Sequence, residues 1–527
     1  MRRKLGVIIT IAFLLLLLPF ITITSGYVHS YYVVLPHNYY VAFKVNVNDG
    51  HIYVIYFSNA SITLMIMNPS QFEAFEEGLS HSSLYSIISS NYFGAINVSE
   101  RGEYYVVFYN NVSLSPSALR LFVGTTNVAP VGIADYGLKI VKGKVVPYIE
   151  KFNTVVGVAK ILSISAYNSS PPKGVSPYGA SLQLNVVLQV NTKTSSQQYW
   201  LQNIVVFNAS NDVYYYLDNI WNLTENVSVL TNITGNGKVN GTEGQYYYAY
   251  GTSYYHYTLP FTVYLITSIT NVTPNSVKIS FGYINGSEFF EEPYFYDNVT
   301  IFIPNVTSAY LLVDGYNSTG GEFAYDAELV FGGMMSKEIT DFTNTEAILY
   351  MFYFYNSSII VPKALFPYGV NTAEASENLS TTPFMGAYEV RSSLSPSFQL
   401  NSSYPFNFSV IKYYGFNNAS VVFMVSGGVP PYILSYIIYN GSKGEVLEGQ
   451  KLLPNIGTYS LTLSISQLKN GNYTLVLKLV DAVNNSKVYE NRLIIQRLSV
   501  FYYLPYFIAF LLFIIAVVVI VMLIRRR

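Results

Sequence analysis

Apolar and polar residues along this chain alternate in short runs of period two, the pattern of half-buried β-strands, whose successive side chains point to opposite faces. Runs at 39–47, 52–57, 62–67 and 104–109 are rich in Val, Ile, Tyr and Phe and are parted by turn residues such as Asn48, Asp49 and Gly50. They predict a small β-sandwich over residues 27–126, interrupted by a polar helix near 71–85. A second set, at 421–425, 457–464 and 471–481, follows a Ser- and Asn-rich linker at 392–403. Its regular spacing resembles an immunoglobulin-like or PKD-like sandwich over 405–497, read as a stalk. Residues 127–400 lie between the two sets.

The sharpest pattern in that middle stretch is Phe323-Ala-Tyr-Asp-Ala-Glu-Leu-Val-Phe-Gly-Gly333. In an extended strand Tyr325, Ala327 and Leu329 point one way and Asp326 and Glu328 the other, so two carboxylates share a face. Like charges at neighbouring same-face positions repel. Close carboxylates also push their pKa values apart, which lets one serve as acid and the other as base. The plain structural counterpart is an edge strand with a solvated acidic face.

Both ends depart from the alternation. Arg2, Arg3 and Lys4 precede an apolar run at 5–20 and then small and polar residues, a secretory signal or retained anchor over 1–26. Residues 501–524 are almost continuously apolar and are followed by Arg525, Arg526 and Arg527, which reads as a single transmembrane helix with a basic cytoplasmic tail at 525–527. The expected fold class is mainly β: a multi-domain β-sandwich ectodomain with a signal segment and one C-terminal transmembrane helix.

Composition narrows the chemistry. Charged residues are only 11% of the 527, whereas aromatics are 16% with 51 Tyr, so solubility falls to Asn, Ser and Thr. With the six terminal basic residues set aside, 23 Lys and Arg face 30 Asp and Glu, which leaves no basic footprint for nucleic acid. There is no Cys, and His29, His37, His51 and His81 have no ligand spacing, so no metal site and no cofactor is expected. The 22 Asn-X-Ser/Thr sequons point to N-linked glycans on an extracellular body. The oligomeric state is left open.

Seven motifs in order carry a family resemblance: Ala129-Pro-Val-Gly-Ile-Ala-Asp-Tyr-Gly-Leu138, Gln198-Tyr-Trp-Leu-Gln-Asn203, Asp218-Asn-Ile-Trp-Asn-Leu-Thr224, Ile233-Thr-Gly-Asn-Gly237, Tyr296-Asp-Asn-Val-Thr-Ile301, Tyr325-Asp-Ala-Glu-Leu-Val330 and Tyr368-Gly-Val-Asn-Thr-Ala-Glu-Ala375. Over about residues 130–375 the chain resembles the thermopsin family of archaeal acid proteases. The resemblance implies a β-rich catalytic domain, over residues 127–400, and endoproteolysis of protein or peptide substrates in acid at the cell surface. One departure is that Gly332-Gly333 gives way to Met334-Met335, where the family carries a longer glycine-rich run.

Peptide hydrolysis needs an activated water, an acid for the leaving amine and a donor for the oxyanion. Without Cys, and with His256 alone in the central stretch, carboxylates remain. Glu328 is the first candidate. Two arrangements stay open: Glu328 with the amide of Gln202, as in glutamic peptidases, or Glu328 sharing a proton with Asp326 or Glu374 in aspartic style. Trp200, Trp221 and Asp218 are candidate substrate-binding residues, while Asp135 and the Gly235-Asn236-Gly237 hairpin read as structural. The alternative functions are a catalytically inactive, glycosylated cell-envelope or adhesion protein that keeps the protease fold, and a glycoside hydrolase using paired carboxylates.

Overall fold

The computed structural model describes residues 21–22, 29–47, 50–125, 129–224, 232–240, 246–285, 293–317, 325–335, 338–369, 372, 374–392, 398–403, 405–441, 444–497 and 500–526. Apart from residues 21–22, the expected signal segment lies outside the described residues, as do Phe323, Ala324 and Arg527, positions 370, 371 and 373 of the last family motif, and part of the 392–403 linker. Strands hold 64% of the chain and helices 7%, as the period-two patterning requires. The chain divides into two compact units, residues 1–405 with 427–430, and residues 406–426 with 431–527.

The first unit opens with a seven-stranded sheet. Its central strand, His51–Met67, joins the apolar runs at 52–57 and 62–67 through a register irregularity instead of a turn. The helix expected at 71–85 spans only Pro69–Glu76. Asn68 accepts from the Gln71 amide while the Gln71 side chain accepts from the Asn68 amide, a capping box that fixes the helix start. Residues Tyr85–Asn97 continue as a strand on His51–Met67.

A twelve-stranded and a nine-stranded sheet follow and share one core. In the larger sheet the strands Tyr246–Tyr250, Val213–Asn222, Ser196–Asn208, Gly179–Thr192, Ala327–Gly332, Val131–Asp135 and Ala364–Tyr368 lie side by side in that order. Strand Gly179–Thr192 shows why the sheets pack. Ala180, Leu182, Leu184, Val186, Leu188 and Val190 enter the shared core, each Leu or Val contributing about 1.5–3 kcal/mol by burial. Ser181, Gln183, Asn185, Gln189 and Asn191 are thereby turned to the other face. Gly157 on Thr154–Ser163 sits over this core: a Cβ there would come within 2.8 Å of Leu329 Cδ1 and 3.0 Å of Leu184 Cδ1, forcing the sheets apart.

The Gly235-Asn236-Gly237 segment is not the expected hairpin. Ile233–Thr234 pairs with Tyr294–Phe302 in the smaller sheet, and Lys238–Asn240 pairs with Tyr246–Tyr250 in the larger one, so the segment carries the chain from sheet to sheet. A Cβ at Gly237 would meet the Tyr248 carbonyl oxygen at 2.0 Å, which restricts this position to glycine.

The second unit holds a three-stranded sheet (Asn407–Tyr414, Ala419–Ser426, Gly457–Leu463) and a four-stranded one (Gly444–Leu453, Tyr432–Asn440, Gly471–Val480, Ser486–Ile495). The helix Val500–Arg525 follows. Its stretch Leu504–Arg525, 22 residues with mean hydropathy 3.6, is unburied. At about 1.5 Å per residue it is about 33 Å long, enough to cross a hydrocarbon layer of about 30 Å.

Candidate active site

The polar face of Gly179–Thr192 gathers the site. In register, Asn185 lies opposite Glu328 on one side and Gln202 on the other, and Gln202 lies opposite Asn219, which lies opposite Tyr248. Directly opposed residues of antiparallel strands share a face. One polar row therefore runs across five strands, beginning at Glu328.

Glu328 is fully buried. Its Oε1 accepts from Asn185 Nδ2 and from the Thr372 hydroxyl, both at 2.8 Å. Its Oε2 lies against Gly369, where a Cβ would come within 2.0 Å of it, so only glycine lets the carboxylate take this position. The Asn185 Oδ1 is buried and has no hydrogen-bond partner among the described residues. An acceptor thus stands beside Glu328, available to a donor brought by water or a peptide N–H.

Glu374 approaches from the next segment, packed on Gly332, where a Cβ would lie 3.1 Å from Glu374 Cβ. Its Oε2 accepts from Gln183 Nε2 at 3.3 Å. Burial raises its pKa above the usual glutamate value, Glu338 and Glu328 reinforce the rise, and hydrogen bonds from its own backbone amide and Gln183 oppose it. Glu338 itself accepts from the Met334 and Met335 amides at 2.9 and 2.8 Å and from Asn168 at 3.0 Å. It therefore ties down the turn in which the sequence departs from the longer glycine run.

Asp326 is fully buried and lies just before the strand that bears Glu328. The phenol of Tyr136 is pushed well above its ordinary pKa by burial and then by the charges of Asp326 and Glu328. Gln202 is near but committed elsewhere: its Oε1 accepts from Trp221 Nε1 at 3.0 Å, and its Nε2 donates to Gln183 Oε1 at 3.0 Å. Asn185 stands between it and Glu328 in the row. Trp221 is half-buried on this face, whereas Trp200, opposite it in register, is buried.

Asp218 points the other way, into the core. It is fully buried, neither carboxyl oxygen has a hydrogen-bond partner among the described residues, and burial followed by the charge of Asp297 pushes its pKa well up. Asp297 accepts from Tyr247 at 2.6 Å and from the amides of Asn236 and Asn298 at 2.9 and 2.7 Å. Asp135 is also on the core side. It accepts from Tyr148, Tyr353 and the Gly137 amide at 2.6, 2.8 and 2.9 Å, and burial, against those donors, pushes it up to about 6. Among the described residues no three His, Asp or Glu side chains converge as metal ligands.

The structure thus brings Glu328, Glu374 and Gln202 to one face with Trp221, buries Asp326 just before the strand of Glu328, and sets Asp218 apart. Sequence reasoning missed Gln183, Asn185, Thr372 and Tyr136. The available signal was the Ser181-Leu-Gln-Leu-Asn185 alternation, which places amides at every second position of a strand.

The thermopsin family model matches residues 115–379, which include every one of these side chains. Thermopsin of Sulfolobus acidocaldarius is 39% identical over 265 residues, covering 49% of this chain and 78% of that protein. Two solved structures align weakly. A tetra-tandem repeat from the extending region of a large adhesion protein covers 89% of this chain and 99% of its own, at 8% identity and TM-score 0.16. A trypsin-activated α-2-macroglobulin from Escherichia coli covers 89% and 42%, at 7% and 0.10. Neither similarity informs the fold.

Proposed function

Because the chain belongs to the thermopsin family and is an acid endopeptidase of that kind, we propose that the buried Glu328 and the half-buried Glu374 form its catalytic pair. The observation that carries this reading is that one strand, through Asn185 and Gln183, hydrogen-bonds both carboxyl groups on a single face. Glu328 is the base. It takes a proton from a water whose oxygen attacks the scissile carbonyl carbon. Glu374, which burial inclines to hold its proton, is the acid and passes that proton to the leaving nitrogen as the C–N bond breaks. The proton on Glu328 then returns to Glu374 through solvent, closing the cycle. Asp326, buried two residues before Glu328, adds a further carboxyl group near it, which favours a proton shared within the cluster.

The commitments of Gln202 favour this carboxyl pair over the Glu328 and Gln202 arrangement, since its amide already donates to Gln183. Thr372 and Asn185 both donate to Glu328 Oε1, which holds the carboxylate in place. The complete burial of Glu328 also favours a second reading, a surface protein that keeps the fold without turnover.

Around this centre we place a catalytic domain at residues 127–400, a preceding β-domain at 27–126 and a stalk at 405–497. The helix Leu504–Arg525 anchors the protein in the cell membrane with its basic tail inside, and the sequons carry glycans outside. Protease protection of intact cells, with a glycosidase-induced mobility shift, tests the topology.

The detergent-solubilised full chain is expected to cleave a denatured protein at pH 2–4. Glu328→Gln and Glu374→Gln are each expected to lose about 10²- to 10⁴-fold in kcat, and Gln202→Ala less than tenfold. A fully active Glu328→Gln overturns the assignment. An inactive but folded wild type supports the second reading.

A further inference from the structure

The polar row does not end at Gln202. Beyond it the outward faces of Val213–Asn222 and Tyr246–Tyr250 carry Trp221, Tyr246, Tyr248 and Tyr250, while the alternate residues Tyr216, Asp218, Ile220, Tyr247 and Ala249 are buried. The rings are contiguous: Trp221 stacks on Tyr246 at 4.3 Å, Tyr248 lies 5.9 Å from Tyr246 and 5.7 Å from Tyr250, and Tyr215 lies 6.2 Å from Tyr250. Tyr250 is 69% exposed. The surface is joined to the carboxyl cluster by hydrogen bonds running Trp221 to Gln202, Gln202 to Gln183 and Gln183 to Glu374, at 3.0, 3.0 and 3.3 Å.

We propose that this aromatic surface is a remote subsite that holds the substrate polypeptide, in extended form, some six residues from the bond being cut. The proposal rests on Glu328 marking the point of cleavage. Four strand spacings separate Ala327–Gly332 from Tyr246–Tyr250. At about 4.8 Å each they amount to about 19 Å, and an extended peptide covers that distance in about six residues at about 3.3 Å per residue. The occupant is an unfolded or loosely structured polypeptide with a large apolar or aromatic side chain at that distance. Such a side chain gains from offset or edge contact with tyrosine and indole faces. The outward positions of these two strands that bear the rings carry no carboxylate, and Lys238 Nζ already lies 5.6 Å from the Tyr248 ring centre. Ring-face binding needs no titrating partner, so it persists in acid, where carboxylate-based recognition fades. Contacts so far from the reacting bond can be used to align the substrate, so they raise kcat as well as lowering KM.

The test is a peptide series with one fixed cleavage site, lengthened one residue at a time on either side to eight residues and ending in Phe, cleaved by the full chain. For the wild type, kcat/KM is expected to rise roughly tenfold on one side as the chain reaches about six residues, the gain of two or three aromatic contacts. In Tyr248→Ala that length dependence is expected to collapse, and in Tyr248→Phe, which keeps the ring, to remain. A wild type indifferent to length overturns the subsite, as does a Tyr248→Ala variant with the wild-type length dependence. Glu328→Gln that still cleaves refutes the catalytic assignment and the distance measured from it. Glu328→Gln without activity, alongside an unaltered length dependence in Tyr248→Ala, refutes the subsite alone.

Discussion

Replacing Asp218 by asparagine is expected to make the protein less sensitive to rising pH. Asp218 is fully buried, its two oxygens find no donor among the described residues, and Asp297 supplies a neighbouring negative charge, with Tyr247 and Tyr296 the other titratable groups alongside. Its folded pKa is therefore raised above the value of about 3.9 for an unfolded aspartate. The folded state holds the proton more tightly than the unfolded state does, so stability is fully present below that unfolded value and falls as pH climbs toward the folded one. Each pH unit over which the folded carboxyl stays protonated while the unfolded one is ionised costs about 1.4 kcal/mol. The amide side chain introduced by Asp218→Asn is similar in shape and cannot ionise, so this loss disappears. Urea unfolding at pH 3, 5 and 7 measures the effect, and intrinsic fluorescence is a local probe because the two Trp residues of the chain, Trp200 and Trp221, lie on the strand of Asp218 and its neighbour. The variant should match the wild type at pH 3 to within the cost of the substitution and exceed it progressively at pH 5 and 7. Parallel pH profiles for the two proteins would refute the reasoning, because they would mean that Asp218 titrates alike in both states.

Two further outcomes follow from the same geometry. Gly369→Ala places a Cβ 2.0 Å from Glu328 Oε2; the displaced carboxylate should lower kcat at least about 10²-fold, with a stability cost of about 1–3 kcal/mol, measured by turnover and urea unfolding together. Tyr353→Phe removes one of the three donors to Asp135, costing about 1–3 kcal/mol. Because that donor lowers a carboxyl already pushed up to about 6, its loss should raise the folded pKa further and be felt more at pH 7 than at pH 3. A uniform loss across pH would contradict that.

Much of the site was legible one strand at a time. The spacing of two between Asp326 and Glu328 predicts a shared face; the strand begins only at Ala327, and both carboxyl groups are fully buried. Excluding other chemistry left carboxylates, with Glu328 first and Gln202, Asp326 and Glu374 open as its partner; Asn185 and Gln183, on one strand face, hydrogen-bond Glu328 and Glu374. Gln202 was seen as an amide near the carboxylates, but its partners were not, because Trp221 and Gln183 reach it from two different strands. Asp218 resembled a binding residue beside Trp221, yet neighbours along a strand alternate in face, and one step of register put it in the core. The Gly235-Asn236-Gly237 turn was misread because a hairpin and a sheet-to-sheet crossing use the same glycines; which one forms depends on where the flanking strands find partners.

By itself the sequence determined what is local: the period-two strands, the apolar 22-residue helix at the C-terminus, and which side chains of one strand share a face. Pleat and helix length are properties of consecutive residues, so no distant contact is needed to read them. Only the tertiary structure decided which faces meet. Asn185 and Glu328 are 143 positions apart in the chain, and Gln183 and Glu374 191. They become neighbours because strand Gly179–Thr192 pairs with Ala327–Gly332, and strand order is chosen by the packing of the whole sheet against its partner, a quantity that no short stretch of sequence contains.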